Sequence, residues 1–118
     1  MTTITVRTAA EWREWLAQNS ATENEVWLVI QHKNSDIPSP RYHEAVEQAL
    51  CFGWIDGLHR KHDATSSRLR FTPRRKRSSW SPLNRERAEK LIGLGLMTER
   101  GQAMIDAAKA NGMWPLTP

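Results

Sequence analysis

Three observations predict a single α+β domain, with a small, mostly antiparallel sheet packed by about four helices. Apolar residues alternate with period two over Val26–Ile30 and Leu69–Phe71, and recur at helical spacing after Thr8, Ser39, Ser81 and Thr98. Cap and stop residues (the Ser-Pro pairs at 39 and 81, Gly53, Gly95 and Asn111-Gly112) fall between those segments. The 118 residues, 39% hydrophobic and 25% charged, suit one domain over residues 1–118 with a buried core.

Taken in order, Ile4–Arg7 reads as a short strand. Thr8 then caps a helix, with Glu11 three residues on completing a capping box. Trp12, Trp15, Leu16 and Asn19 share one face, so this helix runs from about Ala9 to Asn19. Glu25–Lys33 is a strand with Val26, Leu28 and Ile30 on one face and Trp27 and Val29 on the other. Two apolar faces predict a central strand covered on both sides. Ser39 is expected to cap the second helix, with Pro40 at its first position. Tyr42, Ala45, Val46, Ala49 and Leu50 form its buried stripe, and Gly53 ends it.

Trp54–Asp63 and Ser67–Pro73 read as two strands around a short polar loop. In the second, Leu69 and Phe71 alternate with Arg68 and Arg70, giving one apolar and one cationic face. Ser81-Pro82 opens the third helix, and Asn84 is placed to reach back to the cap. Ala88, Leu91 and Ile92 form the stripe of that helix, and Gly95 ends it. Thr98 caps a fourth helix that Asn111-Gly112 closes. Six Trp against one Tyr and two Phe make indoles the main aromatic filler. Trp12, Trp15, Trp27 and Trp54 are expected in or near the core.

The formal charge of +4 is unevenly spread. Up to Leu58 the chain is net acidic. Between Arg60 and Arg77 stand Arg60, Lys61, Arg68, Arg70, Arg74, Arg75, Lys76 and Arg77 against Asp63 alone. Such a block suits phosphate or an acidic partner. A single cysteine excludes an internal disulfide. No apolar run is long enough for a signal peptide or a membrane span, so the protein is expected to be cytoplasmic, without membrane insertion.

Three stretches carry a resemblance: ALCFGWIDG at 49–57, RFTPRRKRSSWSPLN at 70–84 and GLMTERGQAMIDAAKANGMW at 95–114. Together, with EWREWL and VWLVIQHK ahead of them, the chain resembles the YdeI/OmpD-associated, or bacteriocin-protection, family. Met113 stands where similar proteins carry arginine. Those proteins also continue further, so this chain reads as a short member lacking the usual C-terminal extension. The resemblance implies a role in antimicrobial-peptide or envelope-stress tolerance.

Two groups of residues could carry function. Arg68, Arg70, Arg74, Arg75 and Arg77 could neutralise phosphates while Trp80 stacks on a base, an anion- or nucleic-acid-binding surface. Trp54, Asp56 and Arg74 could line a small-molecule or enzymatic pocket, with Asp56 paired to Arg74 or Arg75. Against that, Asp56-Gly57 is also a common turn dipeptide. The acidic first half could meet a protein partner.

No metal site is expected. His59 and His62 fall on opposite strand faces, and His32 and His43 lack partners. Cys51 belongs to packing rather than catalysis. No phosphate loop or catalytic triad is legible, and no cofactor is implied. The sequence therefore favours a binding or adaptor module over a catalyst.

Overall fold

The computed structural model describes residues 2–115. Eight elements follow in the order β1 (Thr3–Ile4), α1 (Ala9–Asn19), β2 (Val26–Gln31), α2 (Tyr42–Cys51), β3 (Trp54–Lys61), β4 (Ser66–Pro73), α3 (Pro82–Gly93) and α4 (Glu99–Asn111). The strands form one four-stranded sheet in the order β1-β2-β4-β3. Only β1 pairs in parallel, Thr3 opposite Trp27 and Ile4 opposite Leu28; the other two pairings are antiparallel. The fold is thus α+β with a mostly antiparallel sheet and four helices.

Local chemistry explains most helix ends. Thr8 Oγ1 accepts from Glu11 N at 3.1 Å, and Glu11 reaches one residue further back, to Arg7 N. Ser81 Oγ accepts from Asn84 N, and Thr98 Oγ1 from Gly101 N. The Asn84 side chain does not return to the cap; its Oδ1 accepts from Arg87 instead. Gly53, Gly95 and Gly112 adopt φ of +76°, +74° and +82°, the left-handed turn that releases the chain after α2, α3 and α4.

The second helix starts later than the Ser39-Pro40 pair predicts. Its N-cap is Arg41, whose N–H donates to Glu44 Oε1 at 2.8 Å. Ser39 is claimed elsewhere, since its Oγ accepts from Gln31 N and ties the loop to β2. Tyr42 is correspondingly 43% exposed rather than part of the buried stripe, and Ile92 is 40% exposed at the edge of α3.

The core lies between the helices and one face of the sheet. Trp12, Leu16, Ala45, Val46, Ala49, Leu50, Ala88, Leu91, Ile105 and Ala108 pack there against Val26, Leu28, Leu69, Phe71 and Trp54. Trp12 and Trp15 stack at 5.5 Å, Trp12 leans on Phe71 at 5.0 Å, and Trp15 meets Trp54 edge-on at 6.0 Å. The two most buried indoles also satisfy their N–H groups, Trp12 on Ala45 O and Trp54 on Ser20 O.

Strand β2 is central, and both its faces are buried. Trp27 and Val29 lie outside the helix-side cluster. Arg68 on β4 lies across the Trp27 ring at 4.9 Å, so an aliphatic stem and a guanidinium do part of the work expected of an apolar layer.

Candidate functional site

The basic block folds as the β3–β4 hairpin and the bend behind it. Asp63, its single acid, closes the hairpin turn by accepting from Thr65 N at 2.9 Å and Ser66 Oγ at 2.8 Å. The Ser66 hydrogen bond holds its carboxyl below the usual carboxylate range. Across the strands, Arg60 stands directly opposite Arg68. Like charges in that position repel and weaken the pairing. Arg70, next on the same face, is tied to Glu25 through Nε at 2.6 Å.

The bend divides the expected anion surface in two. Arg75, Lys76 and Arg77 are exposed, and among the described residues no carboxylate lies within ion-pair distance of them. Arg74 and Trp80 are buried, at 6% and 5% exposure. The Arg74 guanidinium lies 3.9 Å from the Trp80 ring centroid and donates through Nη2 to Ser79 O. Trp80 packs its ring against Trp114 at 5.0 Å, and its backbone N–H donates to Met113 O. The expectation that Trp80 stands beside the arginines as an open stacking platform is therefore corrected. Its indole is consumed by Trp114 on one side and Arg74 on the other.

This packing anchors the bend. Arg74 N donates to Gly53 O at 2.8 Å, Ser78 N to Arg75 O at 3.0 Å, and Asn111 Nδ2 to Lys76 O at 2.7 Å. The cationic tips sit on a backbone held at both ends and in the middle.

The second expected group comes together only in part. Trp54 and Arg74 line one hollow of about 220 Å³, joined by Ser20, Pro73, Arg100 and Met104. Asp56 is not among its walls, and neither Arg74 nor Arg75 forms an ion pair with it. Its Oδ2 accepts instead from the Tyr42 hydroxyl at 2.6 Å. The expected pairing is corrected on that ground: Asp56 points along the helix-side face of β3 toward α2. Burial, then the Asp56 hydrogen bond, push the Tyr42 phenol up to about 12. Burial likewise lowers the Arg74 guanidinium to about 10, against a smaller opposing pull from Asp56.

Sequence reasoning missed Tyr42, Arg100, Glu25 and Trp114 as partners of these residues. Each lies far along the chain from the group it meets. The usable signal was the glycine pair at 53 and 101. A Cβ on Gly53 would fall 3.0 Å from Met104 Cγ, and one on Gly101 2.5 Å from Met97 Sδ. Both mark the place where α4 presses on the end of α2.

Other candidates are quiet. Cys51 is fully buried, and burial raises its thiol pKa, so it is not an activated nucleophile. Its carbonyl has the larger role, accepting from both Thr98 N and Thr98 Oγ1. Among the described residues no group of three His, Cys, Asp or Glu side chains could hold a metal ion, and no helix is long and apolar enough to cross a membrane.

The structure thus defines an α+β domain with an anchored cationic bend. The chain belongs to the family described as Domain of unknown function (DUF8412), which it matches over residues 4–104. No curated protein and no solved structure matches it.

Proposed function

We propose that the protein is a small cytoplasmic binding module that uses its cationic bend to hold an anionic partner, with nucleic acid as the preferred polyanion. The observation that supports this most is the run Arg75-Lys76-Arg77, exposed and without ion-pair partners among the described residues, on a backbone pinned by the buried Arg74 and Trp80. A cation that is already positioned loses less freedom on meeting phosphate than one on a loose loop. Arg60, exposed on β3, adds a further cation on the hairpin. With Trp80 enclosed, binding runs through backbone phosphates rather than base stacking, which favours low sequence preference. On the sequence resemblance to bacteriocin-protection proteins, we further propose that this binding serves antimicrobial-peptide or envelope-stress tolerance.

Fluorescence anisotropy with a labelled DNA duplex tests the reading. Three phosphates neutralised by Arg75, Lys76 and Arg77 give a slope of log affinity on log salt near about −2.7. The variant R75Q/K76Q/R77Q removes most of the binding. Affinity that is absent at low salt, or indifferent to salt, rejects the proposal. Equal competition by poly-glutamate moves the partner from nucleic acid to an acidic protein.

A further inference from the structure

The hollow beside Arg74 supports a second site that does not depend on the exposed cations. Arg74 is 6% exposed, yet its hydrogen-bond acceptor is a single carbonyl, Ser79 O, and its Nε is buried without a partner. No described carboxylate lies within ion-pair distance of it. The Trp80 face gives the cation some compensation at 3.9 Å. A guanidinium withdrawn from water with so few acceptors is a standing cost to the fold, which an anion reaching its remaining N–H groups would relieve.

The surroundings define what kind of anion. Arg100, exposed on the first turn of α4, shares the hollow with Arg74. Phe52, Trp54, Pro73 and Met104 supply apolar wall. The hollow has a volume of about 220 Å³ and opens to solvent. Its size suits one anionic group on a compact apolar body.

We propose that this hollow binds a small organic anion, a single phosphate or carboxylate on a compact apolar body, with Arg74 as the buried anchor and Arg100 as the outer clamp. Two guanidinium groups match the paired oxygens of either head group. The bottom of the hollow is kept open by Gly53, where a side chain would meet Met104 and the Arg100 carbonyl. Asp56 does not line the hollow, and its carboxylate accepts from Tyr42.

Phenyl phosphate is the probe, titrated into the isotopically labelled full chain and followed by NMR. The expected result is saturable shifts centred on Gly53, the Arg74 side-chain Nε–H and Arg100. Arg100→Gln, a surface change that leaves the fold intact, should weaken binding about tenfold, the loss of one charge-assisted contact. Arg74→Lys, which keeps the charge but not the fork, should weaken it as well. The R75Q/K76Q/R77Q variant should bind phenyl phosphate as the parent does, which separates this site from the polyanion surface. Shifts confined to residues 75–77 would overturn the proposal. So would equal shifts with neutral benzyl alcohol, or an unchanged affinity in Arg100→Gln.

Discussion

Replacing Gly101 by alanine is the sharpest test of how α4 is seated. The added Cβ would fall 2.5 Å from Met97 Sδ and 2.7 Å from the Cys51 carbonyl carbon, with the carbonyl oxygen closer still. Met97 is flexible and can swing away, but the Cys51 peptide is the last turn of α2 and cannot. The N-terminus of α4 must therefore back off. Overpacking of that kind costs about 1–3 kcal/mol. Retreat also breaks the two Thr98 hydrogen bonds to Cys51 O, at roughly 1 kcal/mol each. Alanine's better helix propensity returns about 1 kcal/mol. The net loss is about 3 kcal/mol. With an unfolding entropy of about 2.1 cal/mol/K per residue over 118 residues, that lowers Tm by roughly 12 °C. Thermal and urea melts followed by circular dichroism read it directly. Gly93→Ala is the control: that glycine also sits in a helix, but nothing lies within 4 Å of its Cβ position. It should be neutral or stabilising by up to ~1 kcal/mol. If the two variants melt together, the close seating of α4 on α2 is wrong.

Three further outcomes are expected. Tyr42 is the only tyrosine, so ultraviolet titration reports it alone, and its midpoint should lie near 12; Asp56→Asn should bring it back toward its ordinary value. Because the folded pKa is raised, the associated stability is complete below the ordinary tyrosine pKa of about 10 and fades as pH climbs to about 12. A midpoint unmoved by Asp56→Asn would remove the hydrogen bond as a cause. Cys51 should resist alkylation in the native protein and react at full rate in denaturant, since it is fully buried with a raised thiol pKa; rapid native labelling would contradict its placement. Disrupting the part-exposed Arg70–Glu25 pair with Glu25→Gln should cost no more than ~1 kcal/mol and less at high salt; a larger, salt-independent loss in denaturant melts would mean the pair is structural rather than superficial.

Features determined within a turn or two of the chain were legible in the sequence. Thr8, Ser81 and Thr98 cap their helices because the amides they accept from are three residues away. Gly53, Gly95 and Gly112 end helices for an equally local reason. The errors arise where a distant group competes. Ser39 looked like a cap but is taken by Gln31 N across the loop. Asp56 looked like an arginine partner but finds Tyr42, fourteen positions back. Trp80 looked available because Trp114 is too far along the chain for any pattern to link them. The cation count of the bend was readable, while the separation of Arg74 from Arg75, Lys76 and Arg77 was set by tertiary packing alone.

The tie between Trp80 and the 111–115 segment has a consequence for biosynthesis. Asn111 holds the Lys76 carbonyl, Met113 O receives the Trp80 amide, and Pro115 O receives Arg85 Nη1 at 2.6 Å. All three contacts need residues translated thirty or more positions after the bend they secure. During synthesis the bend therefore lacks these ties until residues 111–115 have been added. The cluster takes its folded form only once those later residues are in place.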